Sequence, residues 1–221
     1  MKLIKKLFFR VLFWKRFLKE KRHSLVGAPK NWKLKRDFQF SFLMKNGLNQ
    51  ENTFLDLGCG TLRGGIPIIK FLKDSNYWGV DIREEAIHEA KNELKSEKLE
   101  NKNPTLLSFK TFDDIKPHIK FDVILSFSVL IHMEDHIVDE CFGFVSKVLA
   151  NEGKYFANVN IGNRIIGKWD RFPVVAKEIT FYENLAQKYG LKMENLGILK
   201  DLGHVTLDQA QDLQVMLKFS K

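Results

Sequence analysis

Residues 54–65 read FLDLGCGTLRGG, and this stretch decides the fold. It opens with a short apolar run that contains one acid, Asp56, and it continues into a turn with Gly58 and Gly60. Apolar residues at helical spacing follow the turn. This order is typical of a buried strand that passes into a helix whose N-terminus faces a ligand. The rest of the chain is therefore placed relative to this strand and turn.

Strands and helices alternate outward from the turn. Short, nearly continuous apolar runs predict parallel strands that are covered on both faces. The predicted strands span residues 53–57, 77–80, 105–109, 122–127 and 154–159. Two predicted helices span about 63–72 and about 134–150. A third is an amphipathic stretch with Ala86, Ile87, Ala90 and Leu94 on one face. A fourth begins at a capping box of Thr180 and Glu183 and ends at Gly190.

The C-terminal region breaks this alternation. Predicted strands at 192–199 and 213–219 lack an intervening helix long enough for a parallel crossover, so we expect them to pair antiparallel at the sheet edge. The sequence therefore predicts an α/β fold, with a doubly wound, mostly parallel, seven-stranded sheet and a C-terminal antiparallel hairpin. N-terminal helices are expected to precede this sheet.

The chain length and its breaks indicate one domain with an N-terminal extension. With 221 residues, the chain suits a single catalytic domain at 27–221, preceded by a basic amphipathic helix at 1–26. Residues 30–48 are predicted to form a helix that either caps a cofactor or only packs on the domain. Residues 160–175 are predicted to be a loop that forms the acceptor-side wall of the ligand site, where a second ligand would bind.

The charge is concentrated at one end of the chain. Residues 1–36 carry 13 Lys/Arg and one acid, which gives +12, whereas the remainder carries 23 Lys/Arg and 26 acids, which gives −3. The body of the protein therefore has no general attraction to polyanions, and a nucleic-acid partner is not expected. Cys59 and Cys141 are too few and too far apart for a disulfide framework, which indicates a reducing compartment, the cytoplasm.

Residues 1–22, MKLIKKLFFRVLFWKRFLKEKR, combine an apolar helical stripe with many cations. No apolar run approaches the roughly 20 residues that span a bilayer. One interpretation is a peripheral helix on an anionic membrane at the inner face of the cell. The alternatives are a helix that packs on its own domain or on a second subunit, and an RNA-binding arm. The sequence does not predict the oligomeric state.

Several chemical groups converge where a ligand of such a sheet binds, at the carboxyl ends of the strands. Gly58 and Gly60 let the backbone turn sharply and approach a ligand. Asp81 ends the second strand, 21 residues after Gly60, where a carboxylate suits the two hydroxyls of a ribose. Ser126 and Phe127 end the fourth strand at the same edge.

The turn differs from the fingerprint of dinucleotide-binding proteins. In the pattern Gly-x-Gly-x-x-Gly, the third glycine would stand at position 63, which is Arg63. Asp56 before the turn is poorly suited to a pyrophosphate, and it suits a cationic ligand such as an ammonium beside a sulfonium. An NAD-dependent reductase is therefore the third-ranked interpretation.

Four stretches, FLDLGCG, YWGVDI, FDVILSFSVLIHM and EGKYFANVN, together resemble the class I S-adenosylmethionine-dependent methyltransferases. The likeness runs from Thr53 to the C-terminus and implies a Rossmann-like methyltransferase fold, with S-adenosylmethionine as cofactor and no metal ion. One departure is Leu62, which stands where the family has the third glycine of GxGxG. The cofactor-binding residues that the resemblance and the sheet edge imply are Asp56, Gly58, Cys59, Gly60, Thr61, Arg63, Asp81, Ile82, Thr111, Phe112, Asp113, Ser126 and Phe127.

The resemblance also implies roles for these residues. Asp56 and the backbone of Gly58 to Gly60 would hold the methionine moiety, and Asp81 would hold the ribose. Ile82 would flank the adenine, with Thr111, Phe112 or Asp113 closing its other side. Arg63 has two interpretations: it reaches the cofactor carboxylate or an anionic acceptor, or it is a solvated residue of the first helical turn, where a cation is not favoured.

The sulfonium already favours methyl transfer, so a base is needed only where the acceptor must lose a proton. His132, after the fourth strand, is the first candidate, and His204, between the last two strands, is the second. Each also has an ordinary interpretation as a packing or capping histidine.

The acceptor is only partly restricted by the sequence. No Asn/Asp-Pro-Pro-Tyr motif follows the fourth strand, and neither cysteine stands where covalent pyrimidine chemistry would need it. The main hypothesis is therefore a methyltransferase for a small-molecule or glycan-type acceptor, free or lipid-linked, with O-methylation expected and a position near the membrane. The alternative is a membrane- or partner-binding protein with a degenerate methyltransferase fold.

Overall fold

The computed structural model describes residues 23–221, and the predicted segment 1–22 lies outside the described residues. The strands are β1 (Phe54–Leu57), β2 (Tyr77–Asp81), β3 (Thr105–Ser108), β4 (Phe121–Ser126), β5 (Leu149–Val159), β6 (Arg164–Trp169), β7 (Phe172–Ala176), β8 (Lys192–Ile198) and β9 (Val215–Ser220). The helices are α1 (Trp32–Lys45), α2 (Gly65–Phe71), α3 (Glu84–Ser96), α4 (Asp135–Val148), α5 (Ile179–Lys188) and α6 (Gln209–Asp212). Within residues 23–221, no helix is both long enough and apolar enough to cross a bilayer.

Seven strands form one sheet in the order β3-β2-β1-β4-β5-β9-β8. The pairs from β3 to β5 are parallel, and β9 pairs antiparallel with both β5 and β8. The prediction of a doubly wound sheet with an antiparallel C-terminal hairpin is therefore confirmed. Because α6 has only four residues, the connection between β8 and β9 contains no helix long enough for a parallel crossover.

The central strand β1 lies between β2 and β4, and the chain leaves it toward one edge of the sheet before returning to the other. Phe54 pairs with Tyr77 on one side and with Val123 on the other. All four β1 residues are buried, which explains their nearly continuous apolar character. The carboxyl ends of β1, β2 and β4 thus meet at the switch point, where ligands of open α/β sheets bind.

Two apolar layers cover the sheet. One face packs on α4 and α5 through a core that includes Phe121, Phe142 and Tyr155. The other face packs on α1, α2 and α3 through a core that includes Phe54 and Ile68. With both faces covered, the backbone at the carboxyl edge of β1, β2 and β4 is held in a fixed frame.

Some predicted boundaries were wrong. β5 begins at Leu149 rather than Lys154, because the register with β4 shifts and Leu149 pairs with Phe121 while Lys154 pairs with Val123. The capping box of Thr180 and Glu183 is not formed, since α5 begins at Ile179 with Glu178 at its N-cap. The N-cap Glu178 lies two residues before the predicted Thr180 and directly follows Lys177, which is bridged to Ile161.

The segment 160–175 was predicted to be a loop, and it contains most of a β-hairpin. Strands β6 and β7 form a separate two-stranded antiparallel sheet that is joined at Asp170 and Arg171. Asp170 has φ +53°, which is a turn conformation that Asp tolerates. The β-branched residues of RII and PVV were a strand signal that the polar residues around them obscured.

Candidate active site

A cavity of about 690 Å³ opens at the carboxyl edge of β1, β2 and β4. The turn after β1 forms its floor, and α1 and the segment just before it form one wall. The hairpin β6–β7 and residues 208–214 form the other walls. This is the switch point of the sheet, so the cavity lies where the fold places a ligand.

The turn after β1 depends on residues with positive φ. Gly58 has φ +84° and Gly60 has φ +54°. A Cβ at Gly58 would lie 2.3 Å from Val129 Cγ2, and a Cβ at Gly60 would lie 2.5 Å from Val26 Cγ1. Side chains are therefore excluded from both positions by conformation and by space.

Leu62 adopts a left-handed backbone conformation, which glycine adopts without strain. Its φ is +64°, although it is a leucine, and its side chain is fully buried. The left-handed conformation costs a residue with a Cβ about 1–2 kcal/mol. Packing of the buried leucine side chain therefore offsets the strain of this conformation.

Asp56 lies beneath this turn as a buried acid. Its Oδ2 accepts a hydrogen bond of 2.7 Å from the Tyr77 hydroxyl, and only 4% of the residue is exposed. Burial raises the pKa of Asp56 to about 7, and the negative charge of Asp81 acts in the same direction. A cationic group of a ligand would favour the ionised form of Asp56.

Asp81, at the end of β2, is held from two sides. Its Oδ2 accepts a 3.0 Å hydrogen bond from the Gly60 amide, so it connects the ends of β1 and β2. Its Oδ1 accepts from the Arg83 amide at 2.9 Å and lies 3.2 Å from Arg83 Nε. Arg83 was not predicted as a site residue, and its position two residues after Asp81 was the available signal.

Arg83 also contacts two other walls of the cavity. Its Nη1 donates to the Leu25 carbonyl at 2.9 Å, and its guanidinium lies 5.4 Å from the centre of the Trp169 ring. One side chain therefore joins the acid at the end of β2, the segment before α1, and the hairpin β6–β7.

Arg63 is buried rather than solvated. Its Nη1 donates to the Val26 carbonyl at 2.7 Å, and burial lowers its pKa to about 10. Lys35 of α1 lines the same part of the cavity, and burial and the charge of Arg63 lower its pKa to about 8. Arg63 Nε and Gln39 Nε2 are buried without a hydrogen-bond partner. This end of the cavity therefore offers positive charge and unpaired donors to an anionic group.

His132 follows β4 and lines the cavity. Its Nδ1 lies 2.8 Å from the carbonyl oxygen of Pro173, so Nδ1 carries the proton and Nε2 is left as the basic atom of a neutral ring. Burial lowers the pKa of His132, and the charge of Arg83 adds to this effect. The ring centre lies 5.3 Å from that of Trp169, whose ring is nearly parallel to that of Phe172.

His204 does not line the cavity. It is almost completely buried between Phe38 and Phe127, at 5.0 and 5.6 Å between ring centres. Burial lowers its pKa to about 4, and its Nδ1 lies 3.4 Å from Asp212 Oδ1. The structure therefore places His204 in a packing position, as the ordinary interpretation of this histidine supposed.

The structure brings most of the predicted cofactor residues together. Those that line the cavity are Asp56, Gly58, Cys59, Gly60, Arg63, Asp81, Ile82 and Phe127. Thr61 is buried behind the turn, and Ser126 accepts a hydrogen bond from Tyr155 inside the core. Ser128, with φ +60°, faces the cavity in place of Ser126.

The stretch Thr111 to Asp113 also lies outside the cavity. Phe112 packs between Phe109 and Phe144, at 5.5 and 5.6 Å, and Thr111 and Asp113 are exposed. Phe109 lines the cavity instead, because it directly follows β3 and its amide donates to the Asp81 carbonyl. The sequence signal for Phe109 was its position at the end of a strand.

Comparisons with known proteins agree with this geometry. The family profile described as "Methyltransferase domain" matches residues 55–155. No match was found among curated proteins. Solved structures with the same fold include a S-adenosylmethionine-dependent methyltransferase from Clostridium acetobutylicum ATCC 824. It is 16% identical in sequence, and the match covers 94% of this chain and 98% of that chain with a TM-score of 0.64.

Two further structures are similar at low identity. One is the magnesium protoporphyrin IX methyltransferase of Synechocystis PCC 6803 with bound SAM, with 14% identity, 86% and 80% coverage, and a TM-score of 0.63. The other is the glycopeptide N-methyltransferase MtfA with S-adenosylhomocysteine, with 10% identity, 84% and 89% coverage, and a TM-score of 0.64. These likenesses establish the Rossmann-like methyltransferase fold.

The family match and the motifs that it contains define the class. The chain contains a methyltransferase domain over residues 55–155 and is a S-adenosylmethionine-dependent methyltransferase, with S-adenosylmethionine as its cofactor. The prediction from the sequence is confirmed at this level. An NAD-dependent reductase, the third-ranked interpretation, does not fit this class.

Proposed function

We propose that the enzyme methylates an oxygen atom of a small-molecule or glycan-type acceptor, free or lipid-linked, in the cytoplasm at the inner face of a membrane. The position of His132 is the observation that carries this proposal. A neutral imidazole whose Nε2 is free to accept a proton lies in the cavity, beside the rings of Trp169 and Phe172. A hydroxyl acceptor needs such a base, whereas a neutral amine does not.

The cavity residues have distinct proposed roles toward the cofactor. Asp56 and the backbone from Gly58 to Gly60 would bind the methionine ammonium. Asp81 would accept hydrogen bonds from the ribose hydroxyls, with Ile82 and Phe109 on the two faces of the adenine. Burial of these groups raises the strength of each electrostatic contact.

Arg63 and Lys35 would bind the methionine carboxylate. Both cations line the cavity at the α1 side, and the unpaired donors Arg63 Nε and Gln39 Nε2 lie there too. A carboxylate would satisfy these donors and offset the repulsion between the two cations. Of the two interpretations of Arg63, the buried position supports ligand binding.

The transfer itself is a displacement at carbon. The acceptor oxygen forms a bond to the methyl carbon as the carbon–sulfur bond breaks, and the sulfur keeps the electron pair. The proton of the hydroxyl would pass to Nε2 of His132. The chain would otherwise act by aligning oxygen, methyl and sulfur and by excluding water.

The acceptor side of the cavity suits a ring with hydroxyl groups. Trp169 and Phe172 present nearly parallel rings, at 19° between their planes, on which the apolar face of a sugar or another ring could stack. Asn160 and Arg164 add polar groups nearby. This mixture of rings, amide and cation supports the proposed acceptor class.

The role of His132 is tested by His132→Gln, with His88→Gln on the exposed face of α3 as the matched control. We expect the variant to bind S-adenosylhomocysteine with unchanged affinity by calorimetry. Its kcat should fall by about 10²–10³-fold once the acceptor is known, as for loss of a general base. An unchanged kcat would remove the support for O-methylation.

The acceptor is best sought by release of S-adenosylhomocysteine from the enzyme with fractionated lipid-linked glycans and small metabolites. Activity on an amine alone would overturn O-methylation and leave the enzyme class intact. Failure to bind either S-adenosylmethionine or S-adenosylhomocysteine would contradict the whole assignment of the site.

Residues 1–22 would act as a membrane tether. The support is their sequence, which places many cations beside an apolar stripe. Removal of these residues should weaken binding to anionic vesicles and leave cofactor binding unchanged. Vesicle binding of undiminished strength would reject the tether.

A further inference from the structure

Exposed apolar side chains are concentrated around the mouth of the cavity. Of the eight large hydrophobic side chains that are exposed within residues 23–221, four line the cavity, and three more stand on or just before segments that line it. We call this set the apolar rim, and its members are Ile82, Ile161, Ile165, Ile166, Val205, Leu207 and Leu213. The eighth, Met44, lies near the C-terminal end of α1. The nearby Asn46 carbonyl accepts a hydrogen bond from Lys154 of β5. A one-sided concentration of apolar surface marks a contact with a partner.

The rim has two main parts. The hairpin β6–β7 contributes Ile165 and Ile166, which are 73% and 48% exposed. The pairing of β6 with β7 shifts in register between Ile165 and Gly167, and Ile166 lines the cavity whereas Ile165 does not. The loop before α6 contributes Leu207, which is 93% exposed. A two-stranded hairpin in water has little stability of its own, and it gains from a surface that covers its apolar residues.

Cations flank the apolar side chains of the hairpin. Arg164, Lys168 and Arg171 are exposed, against a single acid, Asp170. Arg171 lies 3.5 Å from Glu85 and over the ring of Phe172. Exposed isoleucines next to Lys and Arg are the composition of a segment that inserts at the boundary between anionic headgroups and acyl chains.

An acceptor inside the cavity would leave part of the rim in water. Ile82, Ile161, Ile166 and Leu213 line the cavity, so a bound molecule could cover them. Ile165 and Leu207 do not line it, and they are the most exposed members of the rim. A flat apolar surface that also attracts cations would cover both the rim residues that line the cavity and those that do not.

We propose that the apolar rim docks on an anionic lipid bilayer, so that the mouth of the cavity opens onto the membrane surface. This inference deepens the proposed function and rests on it for the acceptor, which would be the headgroup of an amphiphile taken up from the bilayer. The contact is separate from residues 1–22, because it is formed by the catalytic domain itself.

The orientation is tested with a fluorescent label on the full-length chain. Cys59 and Cys141 are both buried, and burial raises the pKa of both thiols, so an introduced cysteine is labelled selectively. Ile165→Cys carries an environment-sensitive dye at the rim. Glu152→Cys is the control. Residue 152 is exposed near the start of β5, where Leu149 pairs with Phe121.

The labelled proteins are mixed with vesicles of phosphatidylcholine alone or with about one-third phosphatidylglycerol, and with lipids that carry a quencher on the acyl chain. We expect the dye at position 165 to shift to the blue and to be quenched on the anionic vesicles, and the dye at position 152 to stay unchanged. Quenching at 152 and not at 165 would overturn the proposal, because the protein would then bind by another face.

Binding strength is tested with the full-length double variant Ile165→Asp/Leu207→Asp. Both side chains lie outside the cavity lining, so affinity for S-adenosylhomocysteine should be unchanged. Partition onto anionic vesicles should fall by about tenfold or more, because two apolar contacts are replaced by acids. Met44→Asp makes the same kind of change at the remote exposed residue and should have no effect.

The outcomes separate the possible partners. Unchanged partition of the double variant would reject docking through the rim. If the wild-type chain forms a concentration-dependent dimer by light scattering that the double variant abolishes, the rim covers a second copy and the bilayer proposal fails. Loss of S-adenosylhomocysteine binding in the wild-type preparation would instead count against the proposed function, independently of the vesicle result.

Discussion

Leu62 shows how one residue keeps the shape of the cofactor turn without the expected glycine. Its φ of +64° is strained for a leucine, and its side chain is fully buried. Two effects therefore oppose each other in the substitution Leu62→Gly: relief of about 1–2 kcal/mol of strain, and loss of a buried leucine, at about 3–5 kcal/mol.

We expect Leu62→Gly to lower the free energy of unfolding by about 1–4 kcal/mol, because the loss of packing exceeds the relief of strain. Urea denaturation measures this change. Leu207→Gly, at an exposed position that also has positive φ, is the matched control and should be neutral or stabilising. A stabilised Leu62→Gly would mean that the strain was underestimated.

Asp56 predicts a pH dependence of cofactor binding. Its pKa of about 7 means that about half of the free enzyme carries the protonated acid at neutral pH. Only the ionised form attracts an ammonium, so the affinity for S-adenosylhomocysteine should be about tenfold lower at pH 6 than at pH 8. Calorimetry at both pH values measures this, and Asp56→Asn should bind weakly with little pH dependence.

Asp56 lowers the stability of the folded state as the pH rises, whereas it raises the affinity for the cofactor. Since the pKa of Asp56 is raised in the folded state, the folded state binds more protons than the unfolded state between about pH 4 and pH 7. The stabilisation from this group is present below about pH 4 and is lost as the pH rises through about 7. Comparison of urea denaturation at pH 5 and pH 8 should show a smaller decline for Asp56→Asn than for the wild type.

At the scale of elements, the segment before α1 is attached to the site by two arginines. Arg63 donates to the Val26 carbonyl, and Arg83 donates to the Leu25 carbonyl. Val26 also packs against Gly60, where a Cβ would lie only 2.5 Å away. The segment thus covers the cofactor turn and is held by charge-assisted hydrogen bonds.

We expect Arg83→Met to loosen this segment, since the substitution removes one of its two arginine contacts. Amide hydrogen exchange of residues 25–28 should become at least about tenfold faster, in line with loss of one charge-assisted hydrogen bond. Arg36→Met is the control, because Arg36 pairs with Asp37 at the surface. Equal protection in both variants would show that packing alone holds the segment.

The elements that could be predicted were those with a simple periodic signal. The strands at 54–57 and 121–126 are continuous apolar runs, so their burial and parallel pairing followed from the sequence. The hairpin β6–β7 was missed because Ile165 and Ile166 stand among Arg164, Gly167 and Lys168, a mixture that resembles a polar loop. The capping box at Thr180 failed because a tertiary bridge at Lys177 fixes where α5 begins.

The site was predictable where residues follow strand ends directly. The cavity is lined by Asp56, Gly58, Gly60 and Asp81, which stand at or near the carboxyl ends of β1 and β2. Residues that reach the cavity from other elements, such as Lys35 and Gln39 of α1, could not be found, because helix packing decides which face of α1 turns inward. Arg83 was missed for a related reason, since two of its three contacts, Leu25 and Trp169, come from distant parts of the chain.

At the scale of the whole molecule, cofactor binding should raise the stability of the single domain. The cavity joins α1, the ends of three strands and the hairpin β6–β7, so a ligand there links elements from most of the chain. At 100 times its Kd, a ligand adds about 2.7 kcal/mol to the free energy of unfolding. For a protein of this length, we expect the Tm to rise by about 5–10 °C.

Differential scanning fluorimetry with S-adenosylhomocysteine measures this shift. Asp81→Ala should abolish most of it, whereas Asp74→Ala, at an exposed acid that pairs with Lys102, should keep the full shift. A full shift in Asp81→Ala would reject the role of Asp81 in cofactor binding.

The three contacts of Arg83 have a consequence for the kinetic order of the reaction. Ribose hydroxyls that bind Asp81 would compete with the guanidinium that also holds Leu25 and faces Trp169. Arrival of the cofactor would therefore release the tryptophan on the acceptor side, and the acceptor would bind second. We expect a compulsory-order mechanism, in which S-adenosylhomocysteine inhibits competitively against S-adenosylmethionine and non-competitively against the acceptor.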